Sequence, residues 1–389
     1  MPVTVLVVLA SLILLVWGWL QWHKGPWKIL SEIDPDPKVE FDQLLFLDEE
    51  RGYAFGHTMP DTGQDATERW RGVEAWVYTT TDGGVHWQTK KPLGSGYIFA
   101  VNKVPEGPIF LVQRFIGKVK GKEGEWQVSI RVSEDEGATW SKRDAGWDQI
   151  GWKFLDSSRG FCWGNGPWTT RTSLRGDQVG LVRDQPPILY YTENGSETWE
   201  RIDVPPDVSF QTGPPAVHPG GSFFYLHENK LIHLTREPDR RWREEIEELP
   251  SSLTGSMLYA DTYGKNRTVW IIANELPPPP PAPQDIAQAH LLRWDGPGKI
   301  EMVPGLSFPT GFMVDAMFVS ESVITIVGAN YSDTLASIFA PVAIYQSKNG
   351  GKSWRWEKPA MREQARPIAF WGPRHMWAMG MGNRLQHRE

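Results

Sequence analysis

One turn recipe recurs four times along this chain: Thr80-x-Asp82-x-Gly84-x-x-Trp87, Ser133-x-Asp135-x-Gly137-x-Thr139-Trp140, Thr192-x-Asn194-Gly195-x-x-Thr198-Trp199 and Ser347-x-Asn349-x-Gly351-x-Ser353-Trp354. A recurrence spaced tens of residues apart marks a chain built from similar units in series, which removes most single-core folds from consideration. Each position has a local task. The Asp or Asn side chain accepts hydrogen bonds from backbone N–H groups a few residues on, and glycine takes the positive φ of a tight hairpin. The tryptophan then supplies a large ring where one sheet meets the next.

A second recurrence counts the units. Phe46-Leu47-Asp48-x-x-Arg51-Gly52-Tyr53-Ala54-Phe55-Gly56 returns as Phe154-Leu155-Asp156-x-x-Arg159-Gly160-Phe161-Cys162-Trp163-Gly164, and more loosely from Phe370 to Gly380. The three Phe positions are separated by 108 and 216 residues, two and four times 54. Phe318 to Gly328 falls close to five periods after the first copy. Six steps from first copy to last give seven units. Phe223 to Leu234 and Val269 to Ala273 mark units with weaker signatures. The last copy begins near Ile368 and has room for two or three strands before Glu389, while Trp27-Lys28-Ile29-Leu30 reads as the strand that follows a turn tryptophan. The expected fold is all-β: a seven-bladed β-propeller over residues 25–389, its last blade completed by the N-terminal strand so that no sheet edge stays open.

The fourfold recipe resembles the Asp-box, or BNR, repeat of sialidase-like propellers, sortilin-type receptors and the photosystem II stability/assembly factor family. The resemblance implies an architecture, with Asp82, Gly84, Trp87, Asp135, Gly137, Trp140, Asn194, Trp199, Asn349, Gly351 and Trp354 as structural residues of the turns. No activity comes with it, because propellers host many unrelated functions.

Ahead of the propeller, Val3 to Leu20 runs 18 residues without a charge. At a helical rise of about 1.5 Å per residue it spans roughly 27 Å, close to the hydrocarbon thickness of a bilayer. Trp17, Trp19 and Trp22 fall where interfacial rings collect. No small-x-small cleavage site follows, so residues 1–24 read as one uncleaved transmembrane helix. Lys24 and Lys28 bias the propeller toward the cytoplasm. The families with similar turns are mostly exported, and the extracytoplasmic (periplasmic) side is the reading adopted, with the cytoplasmic side open.

Charge and cysteine usage narrow the partners. The chain of 389 residues has a formal net charge of −7 and no long basic block, which argues against nucleic acid. Its single cysteine, Cys162, rules out an internal disulfide and makes a metal or redox site a poor expectation. Most of the 21 tryptophans are expected in sheet-to-sheet packing, with carbohydrate stacking as the minority role.

The clue to function is where the chain has been lengthened. With strands lettered A to D from inside outward and the repeated turn between C and D, the insertions Thr58–Glu74, Gly117–Gly124, Asn165–Pro187, Asn274–Ala289 and Ala329–Pro341 all join B to C. Strands alternate in direction, so these loops share the face opposite the repeated turns. Loops held by a rigid scaffold are where recognition resides. The residues on this rim suited to gripping a partner are Trp70 between Arg69 and Arg71, Trp168 with Arg171 and Arg175, and Tyr331, since Trp and Arg dominate interface energetics. Against this stands the plain reading that long surface loops are tolerated, because closure entropy rises slowly with length.

Catalytic constellations are poorly represented along the same chain. A sialidase needs three arginines converging on the substrate carboxylate, a Tyr–Glu nucleophile pair and an Asp acid/base, and its family carries an Arg-Ile-Pro motif near the first blade. Here Arg201-Ile202 is followed by Asp203 and lies behind the third turn. Asn at 194 and 349 keeps the turn's acceptor and discards charge, which fits a turn-former and disfavours a metal ligand or general base. His227 and His233 sit six apart on expected strands rather than at metal-ligand spacing. The expectation is a membrane-anchored, non-catalytic propeller that binds a protein partner through its B–C rim, with no cofactor, no metal and no catalytic residue. The alternative is a glycan-binding protein or divergent sialidase-like glycoside hydrolase.

Overall fold

Antiparallel strands of two to twelve residues, joined mostly by tight turns, build seven sheets into a β-propeller. The computed structural model describes residues 27–33, 39–58, 72–89, 92–119, 122–144, 151–164, 168–172, 178–183, 187–210, 215–260, 268–275, 288–309, 312–330, 342–357, 367–380 and 383–388. Blade 1 comprises Val39–Phe46, Gly52–Thr58, Glu74–Thr80 and Gln88–Thr89, and blade 2 comprises Tyr97–Lys103, Ile109–Val119, Lys122–Ser133 and Ser141–Asp144. Blade 3 uses Gly151–Phe154, Gly160–Gly164, Ile188–Thr192 and Glu200–Ile202. Blade 4 uses Ala216–His218, Ser222–His227, Lys230–Arg236 and Trp242–Glu248. Leu253–Ala260, Val269–Glu275, Ala289–Trp294 and Ile300–Met302 form blade 5, and Phe312–Val319, Ile324–Asn330, Val342–Ser347 and Arg355–Glu357 form blade 6.

Blade 7 draws on both ends of the chain. Ile368–Trp371, His375–Met379 and Arg384–Arg388 supply three strands, and Trp27–Glu32 pairs antiparallel with the last, Trp27 opposite Arg388 and Glu32 opposite Arg384. The N-terminal strand is therefore the outer strand of the last blade, as the leftover length of the final repeat predicts. Among the described residues no helix is long and apolar enough to cross a membrane, and Val3–Leu20 lies outside them.

The core is distributed, one hydrophobic cluster for each contact between blades. Phe46 and Tyr78 of blade 1 meet Trp377 and Leu385 of blade 7; Phe55 and Val77 meet Ile98 and Leu111 of blade 2; Phe110 meets Phe154 of blade 3. Blades 3 and 4, 4 and 5, 5 and 6, and 6 and 7 are joined by Phe161–Phe223, Phe224–Trp294, Trp270–Ile324 and Val327–Met376 packing. B strands read as continuous apolar runs for this reason: Gly52-Tyr-Ala-Phe-Gly-His is buried throughout because both of its faces meet a neighbouring sheet. Inner strands of blades 1, 2, 5 and 6 each carry a bulge, at Phe41/Gln43, Ile98/Ala100, Gly255/Met257 and Val314/Ala316. A bulge increases local twist, which lets an inner strand turn at the ring's axis.

The four repeated turns share one hydrogen-bond scheme. In blade 1 the Thr80 hydroxyl donates to Asp82 Oδ1 (2.9 Å) and accepts from Gly84 N–H (2.9 Å), while His86 N–H donates to Asp82 Oδ1 (2.9 Å). Ser133–Asp135–Gly137–Thr139 and Ser347–Asn349–Gly351–Ser353 repeat it. In blade 3 the glycine has slipped one place, and Ser196 takes its role at φ 77°. Where glycine is kept, it also lets the blades close. A Cβ on Gly84 would stand 2.3 Å from Leu385 of blade 7, and one on Gly137 would stand 2.8 Å from the Tyr53 ring of blade 1. The turn tryptophans Trp87, Trp140, Trp199 and Trp354 are half-buried rather than enclosed, each lying over the junction with the preceding blade. Trp87 and Trp354 donate back to their own turns, to Gly84 O and Gly351 O at 3.0 Å, which fixes the indole edge-on.

The two aspartate turns are expected to be acid-sensitive. Asp135 is held at about 2 by hydrogen bonds from the Thr139 hydroxyl and N–H and from Ser133. For Asp82 partial burial acts to raise the pKa, but hydrogen bonds from His86 and Thr80 outweigh it and leave the carboxyl at about 2. Both lie below the ordinary 3.8. The unfolded chain therefore binds more protons than the folded one in this range, and stability present above about pH 4 drains away toward pH 2. Asp82→Asn with Asp135→Asn should give a visibly shallower fall in melting temperature between pH 4 and pH 2, because Asn194 and Asn349 already serve the same turns without a charge. An unaltered slope would remove these carboxylates from the acid response.

Candidate functional site

In a ring of antiparallel A–B–C–D sheets, the B–C connections and the D–A links emerge on one face, the A–B and C–D turns on the other. The repeated turns lie on the second face, and all five lengthened B–C segments open onto the first. The insertions differ in form from the loops the sequence predicts. In blade 2, Gly117–Gly124 is a continuation of the sheet: the ribbon stays paired to Val119 opposite Lys122 and turns over two residues. In blade 3, part of Asn165–Pro187 forms its own hairpin, Trp168–Thr172 paired with Gln178–Arg183. The face of the repeated turns, the box side, is also not uniformly short in its connections, since residues 261–268 join Ala260 to Val269 in blade 5.

Arg69, Trp70, Arg71, Arg175 and Tyr331 lie outside the described residues. Trp168 and Arg171 fall on the first strand of the blade 3 hairpin, at register positions opposite Arg183 and Gly180. The described residues therefore locate the roots of these segments, and bring no two of the candidate side chains together.

The root of the first segment is braced. Thr58 Oγ1 accepts from Glu74 N–H at 3.0 Å, and the short strand Gly94–Ser95 pairs with Glu74–Ala75 beside it. Arg131 of blade 2 holds that strand's approach: it donates to Leu93 O through Nη2 and to Gln113 Oε1 through Nε at 2.5 Å. Gln113 in turn donates to Ser95 O at 2.7 Å. Burial lowers the pKa of Arg131, a cost its hydrogen bonds offset. The roots of the Thr58–Glu74 segment are thus braced by part-buried polar contacts from the neighbouring blade.

Three histidine–carboxylate pairs stand on this face, none visible in residue spacing because each joins separate elements of the fold. His57 Nδ1 lies 2.9 Å from Asp42, His227 Nε2 lies 3.0 Å from Asp207, and His290 Nε2 lies 2.9 Å from Glu275. Asp42 is the enclosed one. Burial raises its pKa, against the opposing hydrogen bond and charge of His57. Asp207, by contrast, is lowered by its hydrogen bond to His227. Asp207, His227 and Glu228 offer three donor atoms within 4.8 Å of one another, a candidate cation cluster in which two members already pair. His233, considered with His227 in the sequence, sits elsewhere. It is buried between blades 4 and 5, stacked on Phe224 at 4.3 Å. On the inner strand of blade 3, Lys153 has its pKa lowered by burial and has no hydrogen-bond or ion-pair partner among the described residues.

Fold and topology define the class: a seven-bladed β-propeller closed by its N-terminal strand. No protein-family model matches the chain, and no curated protein sequence does either. Among solved structures, YCF48 bound to D1 peptide is similar at a TM-score of 0.54 and 15% identity, over 94% of this chain and 96% of that one. The β-propeller domain of the Trilobed protease from Pyrococcus furiosus, described as having an open velcro topology, is similar at a TM-score of 0.54 and 10% identity, over 90% of this chain and 95% of that one. An acylaminoacyl peptidase is similar at the same TM-score and 10% identity, over 88% of this chain and 49% of that one. At these identities the likeness shows the fold.

Proposed function

We propose that this chain is a non-catalytic propeller of the Asp-box type, tethered to a membrane through Val3–Leu20, that captures a protein partner on its B–C rim as an assembly factor, scaffold or inhibitor. The observation that carries the reading is the concentration of elaborated B–C segments on one face of a ring whose other connections are mostly tight. YCF48, a propeller of the same size, binds a D1 peptide, which supports a protein ligand for a ring of this build. Residues 1–24 act as the anchor and the propeller stands on the periplasmic side. Trp70, flanked by Arg69 and Arg71, Trp168, with Arg171 and Arg175, and Tyr331 supply the grip.

The test is capture from native membranes by the full chain, run beside a panel of glycosidase substrates. Trp70→Ala with Trp168→Ala should reduce capture at least about tenfold, the loss of one interface hot spot or more, with an unchanged melting temperature. Undiminished capture would remove this face, and turnover of any glycoside would replace binding with catalysis.

A further inference from the structure

The box-side face has a charge polarity that its role in holding the fold does not require. Among the described residues around blades 6 and 7 it presents Lys348, Lys352, Arg355, Arg374 and Lys28, all exposed, against Glu321 in the same blades and Glu49, which reaches across from blade 1 to His375; Glu389, next to Arg388, lies outside the described residues. Lys348, Lys352 and Arg374 make no ion pair among the described residues, and Arg355 reaches only to 4.0 Å of Glu357, which is committed to Arg388. Around blades 2 and 3 the same face presents the exposed acids Glu134, Asp135, Glu136, Glu193 and Glu197; its cations there are fewer, and Glu136 and Asp156 are paired with Arg51 and Arg159. The basic arc lies where the chain enters the ring. Trp27 begins the outer strand of blade 7 opposite Arg388, so it stands at the box-side end of that strand. Leu20, the last residue of the apolar run, is only seven residues before it. Seven extended residues reach at most about 25 Å.

We infer that the box-side face of blades 6 and 7 rests on an anionic bilayer surface. The ring then tilts with its acidic blades 2 and 3 away from the headgroups and its elaborated rim toward solvent. The inference rests on the anchor proposed above and adds to it an orientation and a lipid class. Both follow from charge. Basic residues are drawn to an anionic leaflet and acidic ones are repelled, over a range of roughly 10 Å at ordinary salt. The outer strand, Trp27–Glu32, holds the rim about 20 Å beyond the box face, outside that range. A partner approaching from solvent would meet the rim unobstructed.

Headgroup quenching on the full chain tests this. Cys162 is buried, so a single added cysteine carries the fluorophore. The labelled positions are Pro373→Cys beside Arg374, Glu134→Cys on blade 2 and Glu248→Cys at the rim end of blade 4. The chain is reconstituted in phosphatidylcholine vesicles with or without phosphatidylglycerol, with a spin-labelled headgroup as quencher. With phosphatidylglycerol, quenching at 373 should exceed that at 134 and 248 at least about twofold, and the difference should shrink in 0.5 M salt by screening. Lys348→Glu with Lys352→Glu and Arg374→Glu should abolish it. Flotation with the vesicles but equal quenching at all three positions, or quenching indifferent to lipid charge, would overturn the orientation and leave the anchor standing. Failure to float with the vesicles would overturn both.

Discussion

Trp377→Ala should cost about 3–5 kcal/mol, the range for emptying a large aromatic site in a packed core. Trp377 is fully buried where blade 7 meets blade 1, stacked on Phe46 with ring centroids 3.7 Å apart and planes 4° from parallel. Its Nε1–H donates to Gly83 O at 3.0 Å, inside the turn of blade 1. One side chain therefore joins a B strand, the neighbouring inner strand and a box turn. Alanine would leave a cavity and an unpaired carbonyl together. The control is Trp356, an outer-strand tryptophan that is 51% exposed, whose replacement should change stability by no more than about 0.5 kcal/mol. Urea unfolding monitored by far-UV circular dichroism separates the two. Equal losses at 356 and 377 would mean that the closure between first and last blade contributes little.

Arg388→Ala is expected to be comparably severe, for an electrostatic reason. Arg388 and Glu357 form a two-pronged pair, Nε to Oε2 at 2.8 Å and Nη2 to Oε1 at 2.9 Å, with Gln346 Oε1 accepting from Nη2 at 3.1 Å. The two side chains are only 6% and 10% exposed. Removing the guanidinium strands a carboxylate between blades 6 and 7, a loss of about 3–5 kcal/mol in comparable buried pairs. Arg388→Met with Glu357→Leu should recover most of it, because an apolar pair of similar volume needs no charge compensation. Arg388→Lys should fall between, lacking the planar fork. If Arg388→Ala matched the wild type in urea midpoint, the pair would be a surface contact in solution.

The two seams meet in the same blade, and their legibility in the sequence was unequal. The closing strand Trp27–Glu32 could be read ahead of the structure, because the final repeat runs out of residues and a strand-like segment waits at the other end. The turns could be read as well. Their chemistry is local, Thr80 to Asp82 to His86, and local chemistry survives as fixed offsets. Ser196 shows the limit: the offset from Thr192 calls for glycine there, yet serine holds the left-handed backbone at φ 77°, beside Gly195 at φ 65°. The bulges of the inner strands leave no trace in spacing, since an extra residue in one strand shows only against its partner.

The rim was legible in outline and obscure in detail. Gly117–Gly124 has the Lys and Gly content of a loop, yet it stays paired, because each strand of the ribbon finds its hydrogen bonds in the other. His57 with Asp42, and Arg131 with Gln113 and Leu93, were missed because their partners arrive from other strands or another blade. Proximity of that kind is set by the ring and has no signature along the chain. The segments bearing Trp70, Arg175 and Tyr331 were recognised by length alone, which locates a face without assigning a contact.

Recognition of a protein through the B–C rim can be read out by site-specific photo-crosslinking in native membranes. A photoreactive amino acid is placed at 70 and 168 on the rim, and at 136 and 352 on the box face. One discrete protein adduct is expected from both rim positions and none from 136. Adducts confined to 136 or 352, with 70 and 168 silent, would contradict it.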